Sequence, residues 1–184
     1  MSGFLFAFLA TLLATFGARD QVMVAHLTRV QGARPVLLVT ALVATGLSTA
    51  VAAWLASRMV TDMVPDARAL FGVLALLIGG GEMLLLGPRK AAAEPTHSLF
   101  AALIVIFSQQ LTDAARFLVL ALGVGTAAWL TAGIGGALGS GIAIAAGWAV
   151  PDLAQAAGLR VWRRVAGAVL VAIGVFVGGR VLIA

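Results

Sequence analysis

Long apolar runs make up most of the chain, and short polar stretches separate them. Six of these runs have about the 20 residues that a helix needs to cross a bilayer. Because an open strand would leave backbone groups unpaired in lipid, we expect every run to be a helix. The predicted spans are residues 4–27, 36–57, 69–87, 98–122, 126–150 and 164–183.

Two of these spans, the first and the fourth, contain polar and charged residues near their middle. An ionisable group at the centre of a bilayer costs roughly 2.5–3.5 kcal/mol, so such residues are expected to face a partner or serve a function. On a continuous helix, Gln109, Thr112, Asp113 and Arg116 lie three or four positions apart and share one face, which should point inward. The candidate site residues are Thr15, Arg19, Asp20 and Gln21 in the first span and Gln109, Gln110, Thr112, Asp113 and Arg116 in the fourth.

The composition agrees with a membrane protein. Hydrophobic residues make up 62% of the chain and charged residues only 10%, whereas soluble domains carry about 25% charge. A chain of 184 residues is expected to form a single membrane domain, 1–184, in contact with the lipid bilayer. The absence of cysteine excludes disulfides and thiol chemistry. Excess basic residues belong on cytoplasmic loops, so the high pI does not call for a nucleic acid partner.

The two halves of the chain align without a gap at an offset of 95 residues. At this offset Gly46 falls on Gly141 and Arg68 on Arg163, while Thr45 falls on Ser140. We interpret residues of about 1–90 and about 96–184 as two repeats. Three spans per repeat force the second repeat to insert upside down, as in many secondary transporters. The predicted fold is therefore an all-α polytopic membrane protein, with six transmembrane helices arranged as two inverted three-helix repeats.

Basic residues predict the orientation. The odd-numbered connections hold seven of them and the other side holds three, which places the odd-numbered connections, including the polar residues 88–97, in the cytoplasm. Both termini then lie outside, and the expected location is the bacterial inner (plasma) membrane. The seven are Arg29, Arg34, Arg89, Lys90, Arg160, Arg163 and Arg164, and the three are Arg58, Arg68 and Arg180.

One polar interruption in each half resembles the Gdt-type cation exchangers of Golgi, thylakoid and bacterial membranes. Their signature is Glu-x-Gly-Asp-Lys/Arg-Thr/Ser, usually followed by Gln, once per half. In the first half Gly17, Arg19 and Gln21 match this signature, and in the second half Asp113 matches its aspartate. Thr15 and Gln110 stand in the places of the two signature glutamates.

The resemblance implies exchange of manganese or calcium for protons, with the two motifs meeting at the centre. The metal ligands would be Asp113 and Asp20, and no cofactor is expected. Because Arg19 and Arg116 neutralise these two acids, the site also suits a small zwitterion or an anion on the same fold. A structural polar core, in which Asp113 pairs with Arg116 or Arg19, and a non-transporting scaffold are the other readings. Homo-oligomers are compatible with all of these functions.

An enzyme is not expected, because the sequence has no Ser/His/Asp arrangement, no HExxH motif and no nucleotide loop. Two further features have open readings. Glu82, in the third span, is either solvated at the cytoplasmic interface or points inward. Gly135 and Gly139 form a small-xxx-small pair, which indicates close helix packing, with a hinge or unwound segment as the alternative.

Overall fold

The computed structural model describes residues 2–85, 98–152 and 157–183. Within these ranges the regular structure is entirely helical, which confirms the predicted all-α class. The predicted loop 88–97 and the end of the third predicted span lie outside the described residues. The helices are α1 (Ser2–Thr15), α2 (Arg19–Gln31), α3 (Pro35–Asp62), α4 (Pro65–Leu85), α5 (Leu99–Leu111), α6 (Ala114–Gly125), α7 (Trp129–Ala149) and α8 (Ala157–Ile183).

Four of these helices, α3, α4, α7 and α8, are each long and apolar enough to cross a membrane. The first and fourth predicted spans are not continuous helices. Each is a bent pair, α1 with α2 at 56° and α5 with α6 at 54°. If each pair crosses the membrane as one broken span, the total is six.

The four predicted connections that fall in the described residues are all partly or wholly helical, because the neighbouring helices continue into them. α2 runs to Gln31 and α6 to Gly125, so residues 28–31 and 123–125 are helical. α3 runs on to Asp62 and α4 starts at Pro65, so little of the predicted connection 58–68 remains. α8 starts at Ala157 and not at Arg164. Arg163 is therefore a helical residue, and it is 3% exposed. Without Arg163 the basic residues on the predicted cytoplasmic side number six, still twice the three on the other side.

Two central helices, α6 and α7, pack together and against both α1 and α3, while α4 packs against α6 and α8. The outer faces carry many exposed large apolar side chains, Phe176 at 67% and Leu47 at 51% among them. An apolar surface of this extent is compatible with contact to lipid.

Glycines allow α1 and α7 to touch through their backbones. A Cβ atom at Gly135 would overlap the carbonyl oxygen of Phe4, and one at Gly139 would overlap that of Phe8. The close packing expected of the small-xxx-small pair is thus present, and α7 is helical through both positions.

This contact gives a test of the packing. Gly139→Ala forces the two backbones apart, and we expect it to lower the unfolding free energy by about 1–3 kcal/mol, as overpacking does. Gly46→Ala is the control, since a Cβ atom at Gly46 meets no atom within 4 Å. Gly46 is the residue that the 95-residue offset pairs with Gly141 of α7. Chemical unfolding in detergent compares the two variants, and equal stability would contradict the contact.

Candidate functional site

The first helix break is built on glycine. Gly17 has a φ of +71°, a backbone conformation that residues with a side chain rarely adopt. Its N–H donates to the Gln21 Oε1 atom at 2.7 Å, and the Gln21 Nε2 atom donates to the Ala143 carbonyl of α7 at 2.7 Å. Gln21 therefore ties the break to a neighbouring helix.

The second break is held by two carboxylates at the start of α6. Asp113 is the N-cap, and its Oδ2 atom accepts from the Ala115 N–H at 3.2 Å. Glu82, from α4, accepts from the Ala114 N–H through its Oε2 atom at 2.5 Å. The first N–H groups of a helix have no partner within the helix, and their partial positive charge favours an acid there. Glu82 thus points inward.

The break also changes which residues face the interior. The prediction that Gln109, Thr112, Asp113 and Arg116 share one face assumed a continuous helix, and it is wrong. Thr112 is exposed, and its hydroxyl donates to the Gln109 carbonyl of the same turn. Gln110, Asp113 and Arg116 are buried, at 0%, 4% and 4% exposure.

Gln110 joins the two breaks directly. Its Nε2 atom donates to Asp20 Oδ2 at 2.9 Å and to Thr45 Oγ1 at 2.9 Å, while its Oε1 atom accepts from Ser48 at 2.9 Å. The other oxygen of Asp20 accepts from the Gln21 N–H at 2.8 Å. All four of these side chains are at most 2% exposed, so a polar network crosses the apolar interior between the breaks.

Arg116 extends this network to α3 and α7. Its Nε atom donates to Ser48 Oγ at 2.8 Å, and its Nη1 atom donates to Ser140 Oγ at 3.0 Å. Thr15 donates to the same Ser140 hydroxyl at 3.1 Å. The guanidinium is held by neutral hydroxyls, and the described residues show no direct ion pair between Arg116 and Asp113.

The remaining charges form a second cluster beside the first. The Arg19 Nη2 atom lies 3.1 Å from Glu82 Oε1, and the Arg163 Nη2 atom lies 3.5 Å from the same oxygen. Arg163 Nη2 is also 4.0 Å from Asp113 Oδ1. The expectation that Asp113 pairs with Arg116 or Arg19 is therefore wrong, since Arg163 from α8 approaches it and Arg19 pairs with Glu82.

Two sets of these contacts repeat under the 95-residue offset. Thr15 bonds Ser140, and Gln110 bonds Thr45. The offset of 95 relates position 15 to 110 and position 45 to 140, so the second bond is the first with the two halves exchanged. In the same way Gln21 bonds residue 143 and Arg116 bonds residue 48. Swapped contacts of this kind are what a two-fold axis between two equivalent units produces.

Several residues of the site escaped prediction as site residues. Thr45 and Ser140 were aligned with each other by the offset, and that was the available signal. Ser48 looked like an ordinary residue of an apolar helix, and Arg163 looked like part of a loop. Glu82 was recognised as ambiguous, but its partners could not be read from the sequence.

In the described part of the chain, no group of three or more His, Cys, Asp and Glu side chains is arranged to hold a metal ion. A separate cavity of about 320 Å³ lies between α3 and α7 and is mostly apolar, with Trp54 and Trp129 in its lining. None of the charged residues of the two clusters lines it. Comparison with known families found no matching family model, and neither the curated proteins nor the solved structures gave a match.

Proposed function

We propose that this protein is a secondary transporter in a membrane, with its substrate site between the two helix breaks. The observation that carries the proposal is that both breaks occur at corresponding places in the two halves and meet through the bond between Gln110 and Asp20. Broken helices that meet at the midplane are how inverted-repeat transporters build their substrate sites. Irregular backbone at membrane depth is tolerated where it is buried in protein or lines a cavity.

The swapped contacts support an inverted repeat. A two-fold axis would relate Thr15 to Gln110 and Ser140 to Thr45, because Thr15 bonds Ser140 and Gln110 bonds Thr45 across the halves in the same way. With three spans in each half, equivalent spans run in opposite directions, so the axis lies in the membrane plane. Such a pair of repeats can rock about a fixed site and expose it to either side in turn.

Exchange of manganese or calcium for protons, as the resemblance to the Gdt-type exchangers implies, is the first candidate activity. Three buried or nearly buried carboxylates, Asp20, Glu82 and Asp113, are available to it. Carboxylate oxygens suit hard divalent cations, and they can also take up the counter-transported proton.

A small zwitterion or anion is the second candidate substrate, and the three guanidiniums of the site favour it. Arg19, Arg116 and Arg163 balance the three acids, so the site has no net negative charge to attract a divalent cation. Guanidiniums bind carboxylates and other oxyanions in a bidentate manner.

Flux into liposomes tests the proposal. The purified protein is reconstituted with a pH indicator inside, and Mn²⁺, Ca²⁺, glycine or acetate is added outside. Proton efflux on addition of Mn²⁺ or Ca²⁺ supports the exchanger, and substrate-dependent flux of glycine or acetate alone supports the second candidate. Absence of flux in every arm, relative to protein-free liposomes, would favour a non-transporting scaffold.

The proposed orientation can be tested on the natural cysteine-free background. Ala33→Cys lies between α2 and α3 on the proposed cytoplasmic side, and Thr61→Cys lies at the end of α3 on the opposite side. Both positions are exposed. In intact cells we expect an impermeant thiol reagent to label Thr61→Cys and to spare Ala33→Cys. The reverse pattern would mean that the orientation is wrong.

A further inference from the structure

The guanidinium of Arg163 lies between the two helix breaks and faces oxygen atoms from both. Its Nη1 atom donates to the Ala14 carbonyl, near the end of α1, at 2.9 Å. Its Nη2 atom lies 3.5 Å from Glu82 Oε1 and 4.0 Å from Asp113 Oδ1. Oxygens from α1, α4 and the start of α6 therefore surround one buried positive charge.

These oxygens are only partly satisfied by the guanidinium. A well-formed bond between a guanidinium and a carboxylate has nitrogen–oxygen distances of about 2.7–2.9 Å and is often bidentate. Only the bond to Ala14 reaches this range. In the described residues, Asp113 Oδ1 and Arg163 Nε are both buried and have no hydrogen-bond partner. An unsatisfied buried polar atom costs free energy, so a ligand that bonded Asp113 Oδ1 better than the guanidinium does would be stabilised.

The same oxygens are the ligands that a hard metal cation prefers, namely carboxylates and a backbone carbonyl. The C-terminal end of α1 adds partial negative charge at the Ala14 carbonyl. We infer that the Arg163 guanidinium fills the position of a hard divalent cation, so that such a cation and Arg163 compete for Asp113, Glu82 and the Ala14 carbonyl. This inference rests on the proposed function only in taking this cluster as the place where the substrate binds.

The competition changes the net charge of the site, which holds three acids and is neutral only while Arg163 is in place. With Arg163 in place, the three guanidiniums cancel the three carboxylates. When the guanidinium leaves, the cluster has one net negative charge, and a divalent cation that enters brings it to one net positive charge, with water completing the shell of the cation. Arg163 is then the residue that decides whether the site accepts a cation, and the wild-type protein binds cations weakly.

Removal of the guanidinium tests the inference. Arg163→Gln is purified in detergent, and its thermal unfolding is followed in EDTA and in rising concentrations of Ca²⁺ or Mn²⁺. A ligand that binds only the folded state raises the midpoint. We expect the apparent cation affinity of Arg163→Gln to be at least about tenfold tighter than that of the wild type, a difference of about 1.4 kcal/mol.

Three variants serve as controls. Arg164→Gln removes the same charge from the neighbouring exposed residue, and it should respond to cations as the wild type does. Arg163→Lys keeps a positive charge in the cluster and should gain no cation affinity. The double variant Arg163→Gln/Asp113→Asn lacks the unpartnered carboxylate oxygen and should lose the gain. A double variant that kept the full gain would overturn the inference.

Each outcome for Arg163→Gln decides the matter. A folded variant without a tighter cation response overturns the inference. If the variant can be recovered only in the presence of Ca²⁺ or Mn²⁺, the inference is supported. If it cannot be recovered even with these cations while Arg163→Lys folds, a cation cannot replace the guanidinium and the inference is wrong.

The inference and the proposed function can fail separately. If cations stabilise Arg163→Gln but the wild-type protein moves no substrate, the inference stands and the proposed transport function is wrong. Proton-coupled Mn²⁺ or Ca²⁺ flux in the wild type, with no cation response in Arg163→Gln, would do the opposite.

Discussion

Under the proposed transport function, Asp113→Asn should lower the flux by roughly 10- to 100-fold while leaving the protein folded. Asparagine is as good an N-cap as aspartate, so the start of α6 keeps its capping side chain. The carboxylate charge near Arg163 is lost, because a neutral amide replaces the carboxylate that carries the unpartnered oxygen. We expect the substrate to lose a charge-assisted bond to this carboxylate; such a bond contributes about 1.5–3 kcal/mol, which corresponds to a flux lower by roughly 10- to 100-fold. Proton-coupled flux of Mn²⁺ or Ca²⁺ into liposomes measures this loss.

The control for this prediction is Asp62→Asn, which removes an exposed carboxylate at the end of α3. We expect it to transport at the wild-type rate. Asp113→Asn with undiminished flux would refute the assignment of Asp113 to the site.

A double variant separates a structural role from a role in transport. Arg163 is the partner to use, because it is the cation that the structure places nearest to Asp113 Oδ1 among the observed ion pairs. If Asp113 serves only to balance Arg163, Asp113→Asn/Arg163→Gln should recover both stability and flux. If Asp113 binds the substrate, the double variant should fold and remain inactive.

Arg116→Gln should give the largest loss of stability of any single change in the site. The Arg116 side chain bonds Ser48 of α3 and Ser140 of α7, so its loss removes a buried polar link from α6 to each of two helices. It also leaves the buried carboxylate of Asp20 without its nearby positive charge. Removing one member of a buried set of charges typically costs about 3–5 kcal/mol. Chemical unfolding in detergent measures the change.

Arg34→Gln provides the matched control, since Arg34 is exposed at the start of α3 and its loss changes the net charge equally. We expect that variant to unfold within about 0.5 kcal/mol of the wild type, as surface substitutions do. If Arg116→Gln were equally stable, the hydroxyl contacts of the guanidinium would not be holding the helices together.

The sequence by itself determined the all-helical class and the number of apolar runs. The chain has 62% hydrophobic and 10% charged residues, and its apolar runs of about 20 residues favour helices because a helix pairs its backbone groups within itself. The positions of the two polar interruptions were also evident, because a charged residue inside an apolar run stands out without knowledge of its neighbours.

The sequence could not show that each interruption breaks its helix. A helical period was assumed through residues 109–116, and it placed Thr112 on the inner face together with Asp113. The chain bends there because Asp113 caps α6 and Glu82 takes the freed N–H of Ala114. The second carboxylate comes from a helix 32 residues earlier, and a local pattern contains no information about it.

Only the tertiary structure decided which charges meet. The sequence suggested Arg116 and Arg19 as partners of Asp113. In the structure Arg163 of α8 lies near Asp113, and Arg19 pairs with Glu82. The partners Glu82 and Arg163 are 81 positions apart, and their approach depends on how α4 and α8 pack against each other. The repeat offset was the one long-range signal in the sequence, and it aligned Thr45 with Ser140, whose hydroxyls accept bonds from Gln110 and Thr15, respectively.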